Sequence, residues 1–140
     1  MNRNVLILGG GLQALSTAYS LWKEGIHAVC MAEEEEEIRQ SRFIRRFYPT
    51  RTGNIFNQIT DIIQSEQISL IIPMSDYLAE LVSKHKDELQ SVYNCHVPVP
   101  NHEVFILGAD KEKLMAFCEQ NGFPHPRTRA LDLSNIEETT

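Results

Sequence analysis

The sequence predicts an α/β fold: an open, mostly parallel, Rossmann-like sheet with helices on both faces. Val5-Leu6-Ile7-Leu8 is an unbroken apolar run, as expected of a parallel strand buried on both faces. Gly9-Gly10-Gly11 follows at once and opens a helical pattern, the strand–turn–helix start of a nucleotide-binding domain. Ile26 to Ala32 reads as a second strand and completes a βαβ unit. Crossovers in such sheets are right-handed by default, and at least four strands are expected.

The glycine turn carries the first candidate site. Gly9-x-Gly11-x-x-Ala14 fits the dinucleotide fingerprint: Gly9 turns the chain off the strand, Gly11 admits a ligand oxygen, and Ala14 lets the helix pack closely. Backbone N–H groups at the helix start favour an anion above the turn. The same spacing also serves a plain βα corner, so both readings stand. The helix carries Leu12, Leu15, Ala18, Tyr19 and Trp22 at helical spacing, with Ala14 and Leu21 beside them, and Gly25 ends it. Glu33 to Glu37 reads as a solvated, self-repelling loop. Glu33 is the exception, because the end of the second strand is where a carboxylate holds ribose hydroxyls in dinucleotide folds. Gly9, Gly11, Ala14 and Glu33 thus form a candidate NAD or FAD site of an oxidoreductase, although nothing later in the chain looks like hydride chemistry.

Ser41 to Pro49 interleaves Arg42, Arg45 and Arg46 with aromatic residues. It reads as a short strand or turn covering the sheet edge, or as an arginine fork for an anionic substrate. Thr52 to Gln64 is a helix with Ile55, Phe56, Ile59, Ile62 and Ile63 as its apolar stripe. Ile68 to Ile72 is a third strand ended by Pro73. Ser75 or Asp76 then caps the next helix, at a strand end where open α/β sheets bind ligands. That helix, Tyr77 to Val92, turns Leu78, Leu81, Val82, Leu89 and Val92 inward; His85 shares the face as a packed or edge histidine. Cys95 to Pro100 is a short strand running into a proline turn. Asn101 caps a short helix, His102 to Leu107, that Gly108 breaks. Asp110 caps a last one, Lys111 to Asn121, with Leu114, Phe117 and Cys118 inward and Gly122 closing it. Phe123 to Thr128 is extended.

Composition narrows the function classes. A chain of 140 residues makes one domain with a single core. Its net charge of −6 argues against a general nucleic-acid binder, which needs clustered Lys and Arg. No stretch is apolar enough to span a bilayer, and the first residues do not read as a signal peptide. Three dispersed cysteines, Cys30, Cys95 and Cys118, suit buried thiols in the cytoplasm and no zinc framework.

Read together, four segments resemble the N-terminal domain of ATP-grasp ligases, especially carboxylate–amine ligases and the carbamoyl phosphate synthase large subunit. They are Gly9-Gly10-Gly11, Ser41-Arg42-Phe43, Ile71-Ile72-Pro73-Met74-Ser75-Asp76, and Asp110-Lys111 leading a helix to Cys118 and then Gly122-Phe123-Pro124-x-Pro126-x-Thr128. The last is the most specific, and the likeness runs from Asn4 to Thr128. The resemblance implies residues 1–128 as the pre-ATP-grasp domain and 129–140 as the start of a linker into a further, ATP-grasp domain. It implies a parent enzyme that joins small carboxylate and amine substrates through an acyl phosphate, using ATP and Mg²⁺. Most nucleotide contacts and the metal carboxylates would lie after this chain, so no cofactor and no catalysis are expected of it alone. Gly10, Gly11, Ser75, Asp76 and Arg42 become substrate-side candidates. Lys111 is the candidate for the nucleotide phosphates, or else an exposed lysine on a polar face. Ligases of this type often pair through their first or later domains, so a homodimer is expected, with neither nucleic acid nor membrane as partner. A stand-alone small-anion module is the third reading.

Overall fold

The computed structural model describes residues 4–128. The chain divides into two compact units, 1–102 and 103–140. In the first, the order is β1 (Val5–Leu8), α1 (Gly11–Lys23), β2 (Ala28–Ala32), a 3-10 turn (Glu37–Gln40), β3 (Ile44–Pro49), α2 (Ile55–Glu66), β4 (Leu70–Pro73), α3 (Asp76–Lys84) and α4 (Lys86–Ser91). The strands form one sheet in the order β3-β2-β1-β4, every pair parallel. The predicted fold class holds.

The sheet is buried on both faces, which is why its central strands read as continuous apolar runs. Successive side chains alternate. Leu6, Leu8, Val29, Met31 and Ile71 pack against Ile59, Ile62 and Ile63 of α2, Val82 of α3 and Leu89 of α4. Val5, Ile7, Ala28, Cys30 and Ala32 pack against Ala14 and Ala18 of α1 and against Ile38 of the 3-10 turn. Two alanines four residues apart let α1 approach the sheet closely. That rotates the expected stripe: Leu12 is 78% exposed and Tyr19 45%.

Other boundaries move for local reasons. β2 begins at Ala28, two residues after the expected start. The basic segment is a true strand, β3, at the sheet edge. α2 begins at Ile55 and not Thr52, because Asn54 caps it: the Asn57 N–H donates to Asn54 Oδ1 at 3.2 Å. The single helix expected from Tyr77 to Val92 is two, broken at His85, whose ring stacks on Phe56 with centroids 3.9 Å apart. Val92, expected inward, is 70% exposed. Cys95 to Pro100 makes no strand of its own; a single bridge ties His96 to the outer edge of β4, with the Ile71 N–H donating to His96 O at 3.1 Å.

α5 (His102–Ala109) runs through Gly108 and stops one residue before Asp110, so that glycine does not break it. In the second unit, α6 (Lys111–Gln120) is capped by Asp110, whose Oδ1 accepts from the N–H groups of Glu112 and Lys113 at 3.1 Å each. None of its residues is fully buried. Leu114 and Cys118 are half-buried, and Phe117 is exposed and stacks on Phe123. The expected linker, 129–140, lies outside the described residues.

Candidate functional site

Because every strand is parallel, all four carboxyl ends meet at one edge. Gly9 to Gly11 leave β1, Ala32 and Glu33 leave β2, Thr50 leaves β3, and Met74 and Ser75 leave β4. β1 is the strand from which the chain departs to either side, with α1 on one face and α2 on the other. Open α/β sheets carry their ligand crevice at such a point. A cleft of about 340 Å³ lies there, with Met31, Ile55, Met74 and Leu78 as apolar lining and Glu33, Glu36, Thr50, Ser75 and Tyr77 as polar lining.

The glycine corner forms the cleft's inner wall. Gly9 and Gly11 have φ of +102° and +78°, which L side chains rarely adopt. A Cβ on Gly9 would also stand 3.2 Å from Met74 Cβ, so this turn needs glycine twice over. Gly10 is a milder case. A Cβ there would overlap only the movable end of the Glu36 side chain, whose Oε2 accepts the Gly11 N–H at 2.8 Å. The anion over the start of α1 is therefore the protein's own carboxylate. Beneath it, Cys30 Sγ lies 3.7 Å from Gly9 O. Burial first, and the Glu36 charge second, push that thiol up to about 12.

A second depression of about 430 Å³ adjoins the corner, lined by Gly11, Leu12, Leu15, Ile38 and the carboxylates of Glu33, Glu35, Glu36 and Glu37. Among the described residues, no Lys, Arg or His lines either hollow.

The sequence candidates sort by position. Gly9, Gly10, Gly11, Glu33 and Ser75 come together at the cleft, and Ala14 is buried in the sheet contact just behind them. Ser75 also caps α3, accepting the Leu78 N–H at 3.3 Å. Asp76 opens that helix, exposed and outside the lining. Arg42 precedes β3 and so sits at the opposite, amino edge of the sheet, its guanidinium 5.3 Å from the Trp22 ring centroid and 5.5 Å from that of Phe43. Arg45 and Arg46 pair with the buried carboxylate of Glu66 at 2.8 and 2.7 Å. Lys111 is exposed at the start of α6, in the second unit.

No family model and no curated protein matches the chain. Solved structures do. The biotin carboxylase domain dimer of Hydrogenobacter thermophilus 2-oxoglutarate carboxylase, in complex with MgADP, ADP and bicarbonate, is 21% identical at a TM-score of 0.67, over 87% of this chain and 28% of that one. The biotin carboxylase subunit of pyruvate carboxylase is 20% identical at 0.69, over 89% and 28%. N5-carboxyaminoimidazole ribonucleotide synthetase from Thermotoga maritima is 16% identical at 0.66, over 98% and 36%. The chain shares the α/β fold of part of these biotin carboxylase and N5-carboxyaminoimidazole ribonucleotide synthetase structures. At these identities the likeness establishes the fold, and the chain spans about a third of the matched proteins.

Within this fold, sequence reasoning missed Glu36, Thr50 and Tyr77 as lining residues. Thr50 and Tyr77 carry no motif. Glu36 is hidden in a run of identical residues, and its only trace is Gly10, the glycine that the dinucleotide spacing does not require.

Proposed function

We propose that this chain is the N-terminal, substrate-side domain of an ATP-dependent ligase that joins a carboxylate to an amine through an acyl phosphate, and that it is inert alone. The cleft at the carboxyl edge of a pre-ATP-grasp fold carries this reading. Gly10, Gly11 and Ser75 form the acceptor-side wall, with Asp76 at its margin. A carbamoyl phosphate synthase-like parent falls within the same reading, as does a homodimer. A reducing, cytoplasmic setting suits Cys30 and Cys95, buried free thiols, and half-buried Cys118.

The lining weighs against MgATP in this cleft: among the described residues it offers no cation for phosphates, Glu36 already holds the Gly11 N–H, and no three His, Cys, Asp or Glu are grouped to hold a metal. Nucleotide and Mg²⁺ are assigned to chain beyond this domain, with Lys111 reaching the phosphates from the second unit.

A second reading, a dinucleotide domain, is favoured by Glu33 at the end of β2 beside Gly9 and Gly11. The same Glu36 contact weighs against it, because a pyrophosphate would have to displace a carboxylate amid glutamates. Calorimetric titration with NAD⁺, NADP⁺, FAD and MgATP separates the two. Silence with all four is expected. Micromolar dinucleotide binding lost in Glu33→Ala would overturn the ligase reading. In a protein carrying the ATP-grasp domain, Lys111→Ala should weaken ATP use, and normal turnover would remove Lys111 from the site.

A further inference from the structure

The acceptor cleft has a charge preference built into it, and Glu36 sets it. Two observations show that the seat of Glu36 belongs to the backbone. The Gly11 N–H is aimed at Glu36 Oε2, and residue 10 has no Cβ where one would overlap the Glu36 carboxyl group. One backbone N–H at the start of α1 offsets that carboxylate only in part. Glu33 adds a second carboxylate to the same wall, Thr50, Ser75 and Tyr77 add neutral hydroxyls, and among the described residues no cationic side chain lines the hollow. An anionic group approaching the corner meets an occupied donor and like charge. An ammonium meets two carboxylates, with Met31, Ile55, Met74 and Leu78 to receive the apolar body that carries it.

We propose that Glu36 is the specificity-determining residue of this cleft: it fills the glycine corner, excludes anionic groups, and selects the amine partner of the ligation over the carboxylate. This rests on the ligase reading, which makes the cleft an acceptor site, and goes beyond it by naming the substrate that the cleft receives.

The test compares benzylammonium with benzoate, which match in shape and differ in charge, and adds inorganic phosphate. Binding to the chain is followed by amide chemical shifts at pH 7. Benzylammonium should bind at least about tenfold tighter than benzoate, with shifts at residues 33–36 and 74–78. Glu36→Gln, which keeps the size and an acceptor, should reduce that ratio to below about threefold. Glu36→Ala should let phosphate move the Gly10 and Gly11 amides. Three results would overturn the proposal: equal or tighter binding of benzoate, a wild-type response of Gly11 to phosphate, or no response to benzylammonium. An unchanged ratio in Glu36→Gln would remove Glu36 from the role. Each of these leaves the ligase reading standing unless a dinucleotide also binds, so the two failures are distinguishable.

Discussion

The sheet ends in two contrasting carboxylates. At the amino side, Glu66 closes α2 with its side chain 4% exposed, paired to Arg45 and Arg46, and Tyr48 donates its hydroxyl to it. Its backbone carbonyl also accepts from Asn4 Nδ2 at 2.7 Å. Burial alone would raise the Glu66 pKa, but the Tyr48 hydrogen bond and the two guanidinium groups outweigh it and hold the carboxyl below the usual range. At the carboxyl edge, half-buried Glu36 has one backbone N–H and, among the described residues, no cation beside it in the cleft lining. The amino edge compensates its charge and uses it to clamp β3 to α2. The carboxyl edge leaves its charge open to whatever enters the cleft. Charge that is satisfied locally stabilises; charge left over is available to a ligand.

Removing each carboxylate should therefore give unequal losses. Glu66→Ala leaves two arginines and a tyrosine without their partner and should destabilise the chain by about 2–3 kcal/mol in urea unfolding. That is less than the ~3–5 of a fully buried pair, because water screens the outer guanidinium. Glu36→Ala should cost under about 1 kcal/mol, a single exposed hydrogen bond. Equal losses would erase the contrast. The pH dependence follows in sign. Glu66 has a folded pKa below the ordinary glutamate value, so its stabilisation is present above that ordinary value and is lost as pH falls through the folded one. Glu66→Gln should flatten the acid limb of the stability profile, and Glu36→Gln should leave it in place.

Neighbouring glycines sharpen the same contrast. Gly9→Ala places a side chain at φ +102° and 3.2 Å from Met74 Cβ, so strain and packing act together and the loss should be about 2 kcal/mol. Gly10→Ala meets only the mobile end of Glu36. It should cost less than about 1 kcal/mol while expelling that carboxylate, which a shifted Gly11 amide would report. A Gly10→Ala protein with an unshifted Gly11 amide would contradict the seat described for Glu36.

Where burial is two-sided, the sequence is readable. β1 and β2 are apolar at every position, so strands could be read over Val5 to Leu8 and Ile26 to Ala32, the second starting two residues early. β3 was ambiguous because an edge strand can carry Arg45 and Arg46, whose partner Glu66 is distant in sequence. α1 misled because its contact face is made of Ala14 and Ala18, which weigh little beside exposed Leu12 and Tyr19. The break at His85 coincides with a ring contact to Phe56, which lies on another helix and is not visible from the local pattern. Of the site, the glycine corner, Glu33 and Ser75 were legible because strand ends define them. Glu36 was not, since identical neighbours give no phase and only the fold decides which one turns inward.

Ser75 tests whether a residue can serve both kinds of region at once. Its Oγ accepts the Leu78 N–H and its surface lines the cleft. Ser75→Ala should lose about 1 kcal/mol in urea unfolding, the usual worth of an N-cap. Ser75→Asp restores a capping oxygen and adds a charge that the start of α3 welcomes, so stability should return. In the cleft, the same aspartate adds a third carboxylate to Glu33 and Glu36, so preference for benzylammonium over benzoate should rise above wild type. If stability returns and the preference does not move, Ser75 is a cap and nothing more. If both move, the cap and the cleft wall are one residue, and the charge of the carboxyl edge can be tuned without disturbing the helix that carries it.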